Sequence, residues 1–162
     1  DWVYETAEAK RYQAMNIGKL DNLGLNIEAK CNMSRLLCPD LAVEGKEPWL
    51  MTVGYAYINQ THKTDKEIYK SLYALEYLRH KFVATISHPI VKHLSASWSL
   101  RWQQRMNGYH PYAKLDGKVQ YEMRHCTVFV KADNMTCHGY YDLGTVKQPG
   151  LWIMAGTKVS LF

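Results

Sequence analysis

The chain has 162 residues, 47% of them hydrophobic and 12% aromatic, and a formal net charge of +5. This length suits one domain with one ordinary core. The Lys and Arg residues are scattered among carboxylates, so nucleic-acid binding is not expected. No apolar run approaches the ~20 residues of a membrane-spanning helix, so a membrane protein with this sequence would be a β-barrel.

Alternating apolar and polar residues predict strands from residue 23 onward. In residues 23–33 the apolar set alternates with Gly, Asn, Glu and Lys, and in residues 49–59 it alternates with mostly small residues. A third strand is predicted at residues 79–87, where Phe82, Ala84 and Ile86 share one face. These three segments predict a sheet with one apolar and one polar side.

The clearest alternation is HLSASWSLRWQQR, residues 93–105, in which Leu, Ala and Trp alternate with Ser, Arg and Gln. Three more strands follow at residues 113–124, 126–133 and 151–162. Phe129 and Met154 fall on the polar side of the last two. The sequence thus predicts seven strands and no convincing helix. Residues 65–78 have helical spacing, which one helical turn inside a loop would explain.

The alternation by itself leaves open what the apolar faces contact, because a soluble core and a lipid bilayer both favour it. Each predicted apolar face is about 9–11 residues tall, the height of a membrane-spanning strand. Aromatic residues lie toward the ends of these faces, as in the aromatic girdles of outer-membrane barrels. The aromatic residues concerned are Trp49, Tyr57, Trp102 and Trp152.

The connections between predicted strands alternate in length. The links at residues 88–93 and 124–126 are short, whereas the long ones are rich in Tyr, Gly, Asn and Lys. The long links are residues 59–78, 105–113 and 133–150. Short periplasmic turns and long extracellular loops are typical of outer-membrane barrels. The link at residues 33–48 departs from this alternation, because its position predicts a short turn.

The C-terminal stretch VFVKADNMT, followed by GYYDLGTVKQPGLWIMAGTKVSLF, resembles the end of a TonB-dependent outer-membrane receptor. The segments DWV, AMNIGKLDNLGLNIEA, VGYAYINQ and YLRHKFVATISH are similar in order and spacing to the preceding strands of such receptors, most closely the cobalamin (vitamin B12) type. The resemblance covers nearly all of the chain and depends on the order of the segments, since no single one is specific.

The resemblance implies a barrel of about 22 strands around an N-terminal plug, which 162 residues cannot hold. We therefore expect an all-β fold of about seven antiparallel, up-and-down transmembrane strands, a partial barrel rather than a closed one. Residues 1–162 would be the C-terminal part of the receptor, without the plug domain and the TonB box. Asp1 would lie in an extracellular loop, and Phe162 would supply the terminal aromatic that the barrel-assembly machinery recognises.

The resemblance also implies a function in the bacterial outer membrane. TonB-dependent receptors take up large scarce nutrients, here with cobalamin favoured and an iron chelate or glycan possible as the small-molecule ligand. The implied partners are the TonB complex through the plug, outer-membrane lipid, the barrel-assembly machinery and a surface lipoprotein. No nucleic acid and no cofactor are expected.

Residues in the long loops are the candidates for ligand contact, because Tyr offers a rigid apolar plate with one hydrogen-bonding tip. The strongest candidates are Tyr109, His110, Tyr112, Tyr140, Tyr141 and Asp142, with Tyr69, Tyr73, Tyr77 and Asn107 in the same loops. The alternative for each Tyr is an aromatic belt at the membrane interface. The charged residues of the polar faces are expected to pack against a plug.

The four cysteines lack the close pairs of a zinc site, since Cys31 and Cys38 are well separated, as are Cys126 and Cys137. No metal site is expected, and a disulfide between loop residues stays open. No catalytic motif appears, so an enzyme is not expected. Two alternatives remain: a soluble all-β carbohydrate- or ligand-binding domain, and a closed eight-stranded barrel if residues 1–15 hold one more strand.

Overall fold

The computed structural model describes residues 2–4, 8, 10–16, 18–37, 48–63, 70–71, 77–106, 108–142 and 146–160. Within these ranges the protein is all-β apart from one short helix. In chain order the elements are β1 (Trp2–Tyr4), β2 (Gln13–Ala14), β3 (Lys19–Asn32), α1 (Met33–Leu37), β4 (Leu50–Lys63), β5 (Lys70–Ser71), β6 (Leu78–Val91), β7 (Leu94–Arg105), β8 (Tyr112–Glu122), β9 (Cys126–Asp133) and β10 (Trp152–Val159).

Among the described residues, seven strands form one antiparallel sheet in the order β10-β9-β8-β7-β6-β4-β3. Each strand pairs with the next long strand along the chain, which is the up-and-down arrangement expected from the sequence. Strands β3 and β10 form the two edges and do not pair with each other, so the sheet is not closed. The prediction of an open, antiparallel, all-β sheet of about seven strands is confirmed.

A second, small sheet has the order β2-β1-β5. The sequence predicted none of its three short strands, because two or three residues are too few for a visible alternation. These strands join the N-terminal residues to the connection between β4 and β6. They do not extend the large sheet, so residues 1–15 do not supply an eighth wall strand within the described part of the chain.

The connections alternate in length as predicted. Residues 92–93 join β6 to β7 and residues 123–125 join β8 to β9. We call the strand ends at which these short turns lie the turn end of the sheet. The long connections, including residues 106–111 and 134–151, lie at the opposite ends of the strands. We call this the loop end of the sheet. The link after β3 begins with α1, which was not predicted, and residues 38–47 lie outside the described ranges.

The strand register places all the apolar alternations on one side of the sheet. Across the middle of the sheet, Val53 pairs with Ala84, Ala84 pairs with Leu100, and Leu100 pairs with Leu115. The same side continues through Val119 and Val130 to Ala155. We call it the apolar face. The two register shifts of the β6–β7 pair lie near its ends, between Leu78 and His80 and between Pro89 and Val91, so they leave the middle of the apolar face continuous.

The opposite side, the polar face, carries Ser, Thr, Lys, Arg, Asp and Gln. Thr85 pairs with Ser99, which pairs with Asp116, and Ser97 pairs with Lys118, which pairs with Lys131. Hydroxyl groups bond across this face, with Ser87 Oγ donating to Ser97 Oγ at 3.0 Å. The two faces are therefore separated as the alternation predicted.

The apolar face is almost entirely exposed or half-exposed, whereas the polar face is buried at the loop end of β7 and β8, which is the reverse of the burial in a soluble sheet. On the apolar face, Leu23 is 73% exposed and Ile153 is 64% exposed. On the polar face, Gln103 is 5% exposed and Lys114 is 7% exposed. Among the described residues of the apolar face, only Ala96 and Gly117 are buried. No second layer of described residues covers this face, as the second sheet of a sandwich would.

Trp152 differs from its predicted position. It pairs with Asp133, so it belongs to the polar face and not to the end of the apolar band. It shares its strand parity with Met154, which pairs with Lys131 on the polar face. The prediction for Trp152 was wrong because it followed from the hydrophobicity of the side chain. The period of two places Trp152 on the same face as Met154, which is the polar face.

Candidate functional site

The described part of the connection between β9 and β10, residues 134–142 and 146–151, folds over the polar face at the loop end. Its Asp142 carboxylate accepts one hydrogen bond from Gln103 Nε2 at 2.9 Å and one from the Tyr112 hydroxyl at 2.5 Å. Gln103 and Tyr112 are paired neighbours on β7 and β8. Asp142 therefore attaches the loop to two strands at once, which explains the burial of Gln103 and Tyr112.

Tyr140 adds a stacking contact to this attachment. Its ring lies 4.5 Å from the Tyr112 ring, centroid to centroid, with 29° between the planes. The Lys114 ammonium lies 5.6 Å from the Tyr140 centroid and 3.3 Å from the Asp116 carboxylate. Because Lys114 is buried and the Asp116 side chain is 13% exposed, this ion pair is less screened by solvent than a surface pair.

Asn134 organises the start of the same loop. It is 2% exposed and has a φ of 53°, a left-handed conformation that Asn tolerates better than most residues. Its side-chain amide donates to the His138 and Pro149 carbonyls, and its side-chain oxygen accepts from Thr136. Its backbone N–H donates to Asp116 at 2.8 Å. One buried Asn thus ties both ends of the loop to the sheet.

A second group of side chains lies beside this attachment. The Arg105 guanidinium lies 4.7 Å from the centre of the Tyr109 ring, and the rings of Tyr109 and Tyr141 are 6.3 Å apart. Arg105 is buried, whereas Tyr141 is 39% exposed. Tyr109 therefore connects a buried cation to an exposed aromatic ring at the loop end.

The structure brings five of the six strongest ligand-contact candidates into one cluster at the loop end. Tyr112 and Tyr140 are buried there, and Asp142 is occupied by its two donors, so these three hold the loop in place. Tyr109, Tyr141 and the exposed His110 keep side-chain surface available to a ligand. Tyr77 is half-buried, and its backbone carbonyl accepts from the Met106 N–H. The other candidates, Tyr69, Tyr73, Asn107 and Phe162, lie outside the described residues.

Sequence reasoning did not single out Gln103, Arg105 or Asn134. Gln103 and Arg105 look like ordinary members of a polar strand face. Gln103 is bonded to Asp142 of the returning loop, and Arg105 lies against the Tyr109 ring. The left-handed conformation of Asn134 could have been predicted, because an Asn between a strand and a loop frequently adopts it. Its four partners could not be inferred from the sequence.

Burial raises the pKa of the Tyr112 phenol, and the hydrogen bond to the Asp142 carboxylate adds to the same shift. Tyr112 lies at the loop end, as the first residue of β8. Because the raised pKa lies far above neutral pH, Tyr112 keeps its proton and remains a donor to Asp142 at all physiological pH values.

The apolar face carries a row of rings toward the loop end. The Tyr55 hydroxyl and His80 Nδ1 are hydrogen-bonded at 2.7 Å, and the His80 ring lies 5.0 Å from Tyr57 and 6.3 Å from Trp102. We call these four residues the upper aromatic row. A hydroxyl or ring nitrogen in each of them gives an otherwise apolar surface a polar boundary.

A second row lies toward the turn end of the same face. Trp98 Nε1 donates to His88 Nε2 at 3.2 Å, and the His88 ring stacks on Trp49 at 4.7 Å. We call these three residues the lower aromatic row. Tyr57, Trp49 and Trp102 were predicted at the ends of the apolar band. The two His residues were not, because His is polar and is not recognised from sequence as part of an aromatic girdle.

A shallow groove of about 500 Å³ lies on the polar face between β3, β4 and β6. Small residues on adjacent strands, Gly24, Gly54 and Ala56, form much of its lining, together with Glu28 and Lys81. The absence of bulky side chains makes room for another element or molecule against the sheet.

The three described cysteines, Cys31, Cys126 and Cys137, are not in disulfide bonds. Cys38 lies outside the described ranges. In the described part of the chain, no group of three or more His, Cys, Asp or Glu side chains has the arrangement of a metal site. The same residues include no helix with the length and apolar character needed to cross a membrane.

Comparisons with protein-family models, curated proteins and solved structures found no significant match to this chain.

Proposed function

We propose that this chain forms part of the wall of a transmembrane β-barrel in a bacterial outer membrane. The observation that carries the proposal is the exposed apolar face, which continues without interruption across seven strands while the polar face is partly buried. In a barrel wall the apolar face contacts lipid and the polar face lines the interior. The loop that Asp142 attaches to the polar face would then lie within the mouth of the barrel.

The two aromatic rows support this proposal. His80 and His88 lie on the same strand and are eight residues apart, which is roughly 26 Å along an extended chain. A strand tilt of about 40° reduces this separation to roughly 20 Å along the membrane normal, close to the apolar band of about 25 Å in outer-membrane barrels. The residues between the rows on this face include Val53, Ala84 and Leu100, which are apolar.

Within this proposal, the barrel belongs to a TonB-dependent receptor that takes up a large scarce nutrient. The resemblance of the sequence to such receptors supports this part, and cobalamin is the favoured ligand over an iron chelate or a glycan. The strands described here would be the last part of the wall, which further strands complete. The plug would occupy the interior against the polar face, where the groove over Gly24 and Gly54 leaves space.

The membrane proposal is tested by light scattering on the 162-residue chain with and without detergent. We expect the chain to need detergent for solubility, or to associate without it, because a lipid-facing surface and two free sheet edges are exposed. A compact monomer in plain buffer would contradict the proposal. It would favour instead the soluble all-β binding domain.

The receptor proposal is tested separately by the binding of cyanocobalamin to the chain in detergent, followed by aromatic fluorescence. We expect Tyr141→Ala to weaken binding by about tenfold, which corresponds to about 1.4 kcal/mol. Tyr121→Ala is the matched control, because Tyr121 is an exposed aromatic residue at the turn end. Equal affinity in the wild type and both variants would remove Tyr141 from the ligand site.

A further inference from the structure

The turn end of the large sheet carries a group of exposed basic side chains. Lys92 and His93 form the turn between β6 and β7, and Arg124 and His125 lie in the turn between β8 and β9. All four are exposed, as is Lys158 near the end of β10. We call these five residues the turn-end basic cluster.

Backbone hydrogen bonds hold the members of the cluster together. The Glu122 N–H donates to the His93 carbonyl at 2.8 Å, which joins the two turns. The Ser160 N–H donates to the His125 carbonyl at 3.0 Å, which brings the end of β10 to the same place. The grouping therefore follows from strand pairing and does not depend on the conformation of long side chains.

The cluster has little negative charge to balance it. Glu122, the last residue of β8, is the acidic residue next to these turns, and its carboxylate accepts a hydrogen bond from the Gln120 side-chain amide on the polar face. Among the described residues, no ion pair involves Lys92, Arg124 or Lys158. The cluster thus presents at least three positive charges to solvent.

The cluster directly continues the exposed apolar face. Val91 is 61% exposed, Tyr121 is 44% exposed and Val159 is 60% exposed, and all three lie on the apolar face at the turn end. The His93 ring contacts the Tyr121 ring edge to face at 6.4 Å. Apolar side chains bordered by cations match the acyl chains and phosphates of a lipid layer.

We propose that the turn-end basic cluster binds the headgroup phosphates of anionic phospholipids in the leaflet next to the turns. This inference rests on the proposed membrane location and adds the lipid class and the residues that recognise it. Each Lys or Arg near an anionic surface contributes about 1 kcal/mol at low salt, which is roughly a fivefold change in partitioning. Lys92 and Arg124 together would account for about 25-fold.

The test measures partitioning of the full chain into vesicles of phosphatidylcholine, with and without phosphatidylglycerol, by flotation at about 50 mM salt, where screening is weak. We expect phosphatidylglycerol to increase partitioning of the wild type, and the double variant K92Q/R124Q to lose most of that increase. K92R/R124K should retain it. The matched control is K10Q/R11Q, which removes one exposed Lys and one exposed Arg before β2.

The outcomes separate the two proposals. If the chain enters neither type of vesicle, the membrane proposal and this inference both fail. If it enters both types equally, the membrane proposal stands and the basic cluster does not recognise anionic lipid. An equal loss in K10Q/R11Q would show a general effect of charge and overturn the assignment. Competition by millimolar inorganic phosphate would mean that the site takes free phosphate and not a lipid headgroup.

Discussion

At the scale of single residues, the loop end depends on a few polar side chains whose partners are distant in sequence. Asp142 reaches Gln103 and Tyr112, and Asn134 reaches Asp116 and Pro149. Because Gln103, Tyr112 and Asn134 are nearly completely buried, their hydrogen bonds cannot be replaced by water without opening the loop.

Asp142→Ala should release the loop from the polar face. The change leaves the Gln103 amide and the Tyr112 hydroxyl buried without their acceptor, at a cost of about 2 kcal/mol. Hydrogen exchange of the amides in residues 134–151 should become faster, and chemical unfolding should shift to lower denaturant.

The control for this variant is Asp21→Ala. Asp21 pairs with Lys19 in a salt bridge whose side chains are 53% and 74% exposed, so its loss should cost less than about 0.5 kcal/mol. Unchanged loop exchange in Asp142→Ala would mean that the two hydrogen bonds do not hold the loop.

Gly156→Ala should destabilise the β9–β10 pair by about 1–3 kcal/mol through overpacking. A Cβ atom at Gly156 would lie 2.7 Å from the ring of Phe129, its cross-strand partner. The Phe129 ring also lies 5.1 Å from the Lys118 ammonium, which limits its movement away from the strand. Equilibrium unfolding in detergent measures the difference.

Two further variants identify the cause. In a Phe129→Leu background the cost of Gly156→Ala should fall, because the smaller side chain can move aside. Gly54→Ala should cost little, since the nearest atoms to its Cβ position lie at 4.0 Å. A similar cost for Gly54→Ala and Gly156→Ala would indicate a backbone effect of glycine and not contact with the ring.

At the scale of elements, β7 is the strand that decides what each face contacts. Its Leu94, Trp98 and Leu100 belong to the apolar face, while Ser95 and Ser99 belong to the polar face. The two aromatic rows cross β7 at Trp102 and Trp98. Residues of this one strand therefore lie on both faces of the sheet and at both boundaries of the proposed lipid-facing band.

Spin labels on β7 should alternate between lipid and water accessibility. In a background without native cysteines, labels at Leu94→Cys and Leu100→Cys should collide with oxygen, which concentrates in lipid. Labels at Ser95→Cys and Ser99→Cys should collide with a water-soluble nickel complex, because they face the interior of the barrel. The measurement is power-saturation electron paramagnetic resonance in vesicles.

Two other results of the spin-label experiment would contradict the prediction, each for a different reason. Labels at positions 94 and 100 that are shielded from both reagents would indicate a protein core on the apolar face. Four labels that behave alike would indicate that β7 is not fixed at a membrane surface.

At the scale of the whole molecule, the large sheet has two free edges. Strand β3 is 14 residues long and β10 is 8 residues long, and neither has a partner on its outer side among the described residues. Free edges present unpaired backbone donors and acceptors, which favour pairing with another strand. In a complete barrel wall those partners would be further strands.

The chain should therefore self-associate even in detergent, where the apolar face is covered. We expect the mass measured by sedimentation velocity to rise with protein concentration at a fixed detergent-to-protein ratio. Added urea at moderate concentration should reverse the association before it unfolds the central strands. A constant monomer mass at all concentrations would show that the edges are protected by other residues of the chain.

The sequence by itself determined the class of the fold, the seven long strands and the composition of their two faces. A period of two can be recognised locally, because each residue's side follows from its own position in the strand. The alternation of short turns with long loops could also be predicted from the sequence, since two predicted strands that are separated by two or three residues must be joined by a tight turn.

Only the tertiary structure decided which residues form the loop-end cluster and which face is exposed. Gln103 and Asp142 are 39 positions apart, and their contact depends on how the chain returns over the sheet after β9. The grouping of Lys92 with Arg124 likewise follows from the pairing between strands. Pairing across strands is a non-local property, so the alternation within any one strand could not reveal it.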